Sequence, residues 1–113
     1  MARQLTIVGT ATITSGQTTS GWITDKRGFG HATDLVVWCP SALTAAVVVE
    51  VSHAESPSSA DTKVLNIDGS DVAMGAGKAI VIPTSAFKSM RFVSAGAEGA
   101  DRTFTVVAQV DMG

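Results

Sequence analysis

The stretch from Asp34 to His53 limits what this chain can fold into more than any other. Leu35-Val36-Val37-Trp38 and Ala45-Ala46-Val47-Val48-Val49-Glu50-Val51 are dense runs of β-formers, separated by Pro40-Ser41-Ala42-Leu43. β-Branched side chains crowd a helix but pack well on a pleated surface, where successive side chains point to opposite faces. Val47, Val49 and Val51 are therefore expected on one face, with Val48, Glu50 and Ser52 on the other. Proline has no N–H for a strand ladder, so Pro40 ends the first run. A turn after it is expected to bring the second run back as a β-hairpin at the centre of a sandwich.

The flanking sequence carries the same period of two. Leu5, Ile7, Gly9, Ala11 and Ile13 alternate with Thr6, Val8, Thr10 and Thr12, which predicts an N-terminal strand within 3–14 with one apolar and one Thr-rich face, and a bulge at Gly9. After the polar turn Ser15 to Gly21, Trp22 and Ile23 begin a short strand. Glu55 to Asp61 is small, polar and proline-containing, hence a solvated and disordered connection. Thr62 to Leu65 reads as a strand, and Asp68-Gly69 supplies the positive φ of a tight turn. Val72 to Met74 follows, and then Lys78 to Ile82, stopped by Pro83. One helical turn is expected near 84–88, capped by Thr84 or Ser85. Met90 to Ser94 and Thr103 to Val110 close the chain as strands, with Phe104, Val106 and Ala108 sharing a face. The expectation is an all-β fold: one domain over 1–113, an antiparallel β-sandwich or jelly roll of about seven or eight short strands.

Bulk composition narrows the function. Of the 113 residues, 45% are hydrophobic, with four Phe, two Trp and no Tyr, so thin β-branched core layers are expected. The net charge of −2, with Lys and Arg scattered, gathers no field for a nucleic-acid backbone. No segment has the length of a membrane span, and the interrupted N-terminal run is too polar for a signal peptide, so a soluble, unexported product is expected. Cys39 is the only cysteine and ends an apolar run, as an inert packed thiol would.

No motif for catalysis, cofactors or metals stands out. Cys39, His31 or His53, and Asp34 lie in no nucleophile motif. Asp68-Gly69-Ser70-Asp71 lacks the further oxygen ligands of a calcium loop and reads as turn chemistry. Gly28-Phe29-Gly30 and Gly75-Ala76-Gly77 lack the helix and the Lys-Ser/Thr of a phosphate cradle. The residues thus predict no enzyme, no cofactor and no metal. Trp38, alternating with Val36, is expected in the core or a subunit contact, while Trp22 is the better surface platform for a glycan.

Strand edges and weakly charged Thr-rich faces invite assembly, so a homo-oligomer is expected. The residues expected to touch partners are Leu5 and Ile7 on the first strand, Trp22, and Lys26, Arg27, Phe29 and His31 in the charged, glycine-containing loop.

Taken in order, the pieces resemble a group of small β-sandwich virion proteins of tailed bacteriophages. The resemblance rests on Ala11-Thr12-Ile13-Thr14-Ser15-Gly16, the run Leu35 to Pro40, the strand Leu43 to Ser52, a short Phe-containing turn, Met90-Arg91-Phe92-Val93-Ser94-Ala95-Gly96, and Asp101 to Gln109. Such proteins often follow the central strand with Ser-x-Asp-Gly and an aromatic, where this chain has Ser52-His53-Ala54-Glu55-Ser56-Pro57-Ser58. The resemblance implies a capsid decoration, or cement, protein. It would be made in the host cytoplasm and seated as a trimer on the major capsid protein lattice at the virion surface. The alternative it leaves open is a tail or head-fibre module that binds a glycan or receptor.

Overall fold

The computed structural model describes residues 3–25, 29, 34–82 and 87–111. These contain β1 (Arg3–Ile13), β2 (Ile23–Thr24), β3 (Asp34–Trp38), β4 (Val47–Ser52), β5 (Thr62–Val64), β6 (Asn66–Ile67), β7 (Ser70–Asp71), β8 (Ala73–Met74), β9 (Ala79–Ile82), β10 (Ser89–Ser94) and β11 (Arg102–Asp111). The count exceeds the expected seven or eight because 66–74 breaks into the two-residue strands β6, β7 and β8. The β6–β7 hairpin turns on Asp68 (φ 52°) and Gly69 (φ 87°), the positive-φ pair predicted for that dipeptide.

Two antiparallel sheets form the layers. One has the order β1-β11-β3-β9, and the other β2-β10-β4-β5 with β8 also on β4. The chain changes layer between β1, β2, β3 and β4 and again between β9, β10 and β11, an order compatible with a jelly roll. Among the described residues no helix is long and apolar enough to cross a membrane.

The central hairpin is not there. β3 pairs with β11 and β9, whereas β4 pairs with β10, β5 and β8, so residues 39–46 form an arch between layers. A strand, a proline and a second strand look the same locally in a hairpin and in an arch. Burial separates them. In opposite layers Leu35 and Val37 face Val47 and Val49, and all four are fully buried.

The core also differs from thin β-branched layers, because all four phenylalanines enter it. Phe92 on β10 and Phe104 on β11 stack across the layers with centroids 4.4 Å apart. The β4 alternation holds at Val47 and Val49, but Ser52 is buried too, on what should be the solvent face. The loop after it covers it: Ser52 Oγ donates to Asp61 Oδ1 (3.0 Å), and Ala54 N donates to Ser52 Oγ (3.1 Å). Asp61 also accepts from Ser58 N at 2.8 Å and closes a 3-10 turn over Ser59–Asp61, so the segment expected to be disordered is folded around one carboxylate. The helical turn predicted near 84–88 lies largely outside the described residues.

Glu98 clamps one end of the sandwich. Its carboxylate is 1% exposed and accepts from Thr44 N (2.7 Å), Ala45 N (3.2 Å), Ser94 Oγ (2.6 Å) and Arg102 Nε (3.0 Å). Its backbone pairs with Gly16 and Gln17. One residue therefore ties the β3–β4 arch to β10 and β11 through its side chain and to the first turn through its backbone. Burial alone would raise its pKa, but the donors, Ser94 first and then Thr44 N–H and Arg102, override that and hold it at about 2.

Candidate functional site

The long strand β1 explains why apolar side chains reach the surface. Its pairing with β11 runs in register from Arg3↔Asp111 to Ile7↔Val107 and resumes at Gly9↔Val106, with Val8 as the extra residue. This is the bulge expected at Gly9, where a Cβ would meet Ile23 Cγ2 at 3.0 Å. A bulge inverts the phase of a strand. Ala11 and Ile13 point into the core, while Leu5 and Ile7 emerge on the outer face, 70% and 66% exposed. The single apolar face expected from Leu5 to Ile13 is therefore split between two sides.

On that outer face the strands line up. Ile7 lies opposite Val107, Val107 opposite Val36, and Val36 opposite Val81, so one apolar row crosses the whole β1-β11-β3-β9 sheet. The next row is Thr10, Thr105, Trp38 and Ala79. Trp38 is 56% exposed and Val81 66%, so Trp38 is not a core residue. Thr12 Oγ1 and Thr103 Oγ1, 2.9 Å apart, share a hydrogen bond farther along the face. Among the described side chains of its four strands, none on this side is charged.

The other expected contacts do not join Leu5 and Ile7. Phe29 is 1% exposed and packs on Phe87 with centroids 5.1 Å apart, so it is a core residue and offers a partner no surface. Lys26, Arg27 and His31 lie outside the described residues. Trp22 is half-buried on the opposite side of the sandwich, with the Arg91 guanidinium 4.5 Å over its ring. Arg91 is held in turn by Glu50 at 2.7 Å.

Val36, Val81 and Val107 were absent from the expected contacts, and Trp38 was expected either in the core or in a subunit contact, yet the sequence carries a signal for all four. β3 reads Leu35-Val36-Val37-Trp38, β9 Ile80-Val81-Ile82, and β11 Val106-Val107-Ala108, apolar in both phases. An antiparallel strand with one wet face alternates. A continuous run is the pattern of a strand covered on both sides.

The chain matches no family model, no curated protein and no solved structure. What this surface can do therefore rests on its own chemistry. Elsewhere, Ser52, His53 and Asp61 meet at a cleft of about 200 Å³ lined also by Val51, Lys63, Leu65 and Phe87. The Ser52 hydroxyl donates to Asp61, and there it organises the loop. Cys39 Sγ lies 3.8 Å from Met74 Sδ, and burial pushes its thiol pKa up, partly offset by the Gly75 N–H, so it stays protonated at neutral pH. In the β6–β7 turn Asp71 accepts from Asn66 Nδ2 at 3.0 Å, which is turn chemistry.

Proposed function

We propose that this chain is a structural protein of a tailed-bacteriophage particle, a capsid decoration protein that seats on the major capsid protein lattice and stabilises the head. The observation that carries the reading is the uncharged apolar row on the outer β1-β11-β3-β9 face, backed by strands that are apolar in both phases. That is the surface of a protein whose work is adhesion to other proteins. The sandwich architecture and the resemblance over most of the chain support the virion setting. The resemblance also supports assembly in the host cytoplasm before attachment and a homo-oligomer, with the trimer as its implied form.

Such a protein needs no reactive group. By bridging neighbouring capsid subunits it adds interface that must break before the shell can burst. The tail-module reading has less support, since a glycan platform at Trp22 would compete with the Arg91 guanidinium already stacked on that ring.

The test is to add the purified chain, labelled at one terminus, to heads of tailed phages lacking their own decoration protein, and to image them. Regular density on the head shell is the expected result. Density confined to a tail or head fibre would favour the alternative, and binding to neither would remove both.

A further inference from the structure

The structure assigns an occupant to this face: we infer that it packs against the same face of a second copy of this chain, related by a two-fold axis running parallel to the strands between β11 and β3. The inference rests on the adhesive reading of the face and deepens it by naming the partner.

Three observations point to a copy. The exposed Leu5, Ile7, Trp38 and Val81, with half-buried Val36 and Val107, leave roughly 500 Å² of apolar side chain in water, near the upper end for a monomer. That is most of the ~800 Å² per partner that a standard interface buries. Charge comes next. Two identical charged rows would repel, but the row Ile7, Val107, Val36 and Val81 and the row Thr10, Thr105, Trp38 and Ala79 hold no charged residue, so a copy laid on these rows meets no opposing charge there.

The third observation is the order of side chains along the row. A two-fold axis between β11 and β3 reverses the sequence Ile7, Val107, Val36, Val81. Ile7 then lies over the copy's Val81 and Val107 over its Val36, each contact made twice as an isologous interface requires. In the adjoining row the same operation sets the bulky Trp38 over the smaller Thr105. The row thus sets aliphatic side chains of similar size on each other, and only the tryptophan meets a clearly smaller partner. The contact closes at two copies, so the trimer implied by the resemblance would need another surface, and the pair would present its remaining surfaces to the capsid.

Because Ile7 and Val81 are about 14 Å apart within one chain, three strand spacings, charges placed on them pair only between copies. Sedimentation equilibrium of the full chain is expected to give a dimer. Ile7→Lys and Val81→Glu should each weaken it roughly tenfold or more, with unchanged circular dichroism. The double variant I7K/V81E should recover at least part of the loss. A wild-type monomer or trimer, insensitivity to both single changes, or a double variant no tighter than the singles would each overturn the pairing. Head binding by a wild-type monomer would remove the pairing and leave the capsid reading standing, whereas a dimer that binds no head would do the reverse.

Discussion

On the β2-β10-β4-β5 sheet the outward positions hold Glu50 and Arg91 with the half-buried Val48 and Val93, the exposed Val64 and, from the preceding turn, Trp22; on the β1-β11-β3-β9 sheet they hold Ile7, Val107, Val36, Val81 and Trp38. Both faces come from the same alternation, and beneath both lies one core. The first carries a charge pair, Glu50 with Arg91 at 2.7 Å, and its large aromatic is capped by that guanidinium. The second leaves a tryptophan, a leucine, an isoleucine and a valine mostly uncovered. Folding does not need this arrangement, since a threonine at any of those positions would suit a strand equally well. The contrast separates residues kept for stability from residues kept for contact.

The largest effect is expected below both faces. Val49→Asp puts an unpaired carboxylate at a position with no exposure, costing several kcal/mol against a total of roughly 5–15, and the chain should fail to fold. A cooperative melt from this variant would mean that the inner and outer sides of β4 have been confused.

Glu98→Gln comes next, at about 3 kcal/mol by chemical denaturation, because it weakens the Arg102 pairing and leaves backbone donors poorly matched. The same carboxylate sets an acid limit. Its pKa falls from the usual 4.5 to about 2 on folding, so the unfolded chain takes up the proton first as pH drops. The stability it supplies is complete above about pH 4.5 and is lost towards pH 2, and Glu98→Gln should flatten the dependence of denaturation midpoint on pH across that window.

Trp38→Ala tests the exposed face. Since that side chain is more than half in water, its removal should cost under about 1 kcal/mol of stability while clearly lowering self-association. A large loss of stability with no loss of assembly would reverse the assignment of the face. The smallest effects belong to the paired face: Glu50→Gln should cost at most about 1 kcal/mol, and Trp22→Ala should leave head binding unchanged. Loss of binding to cells or polysaccharide on Trp22→Ala would restore the tail-module reading.

Where pattern and neighbours are local, the residues were informative. Phe104, Val106 and Ala108 are buried as their alternation requires, and Asp68-Gly69 makes its turn, because strand phase and turn dihedrals are set within a few residues. Leu5 and Ile7 were expected on one face with Ala11 and Ile13, and they lie on the opposite side. One inserted residue at Val8 inverts everything before it, and nothing in the letters fixes where the register slips. Glu98 lies in the small-residue stretch Ala95-Gly96-Ala97-Glu98-Gly99-Ala100, and no local pattern marks it as a clamp, because the arch it ties down, donating from Thr44 N and Ala45 N, is more than fifty residues away in sequence.

By itself, the sequence determined that this chain is all-β, where most of its strands lie, and which faces of β4 and β11 are apolar, because a pleated strand exposes its period directly. Only the tertiary structure decided that β3 and β4 belong to opposite layers, that Phe29 is buried and Trp38 is not, and that Ile7, Val107, Val36 and Val81 form one row. Those outcomes depend on which strands become neighbours, and that choice is made by burial summed over the whole sandwich.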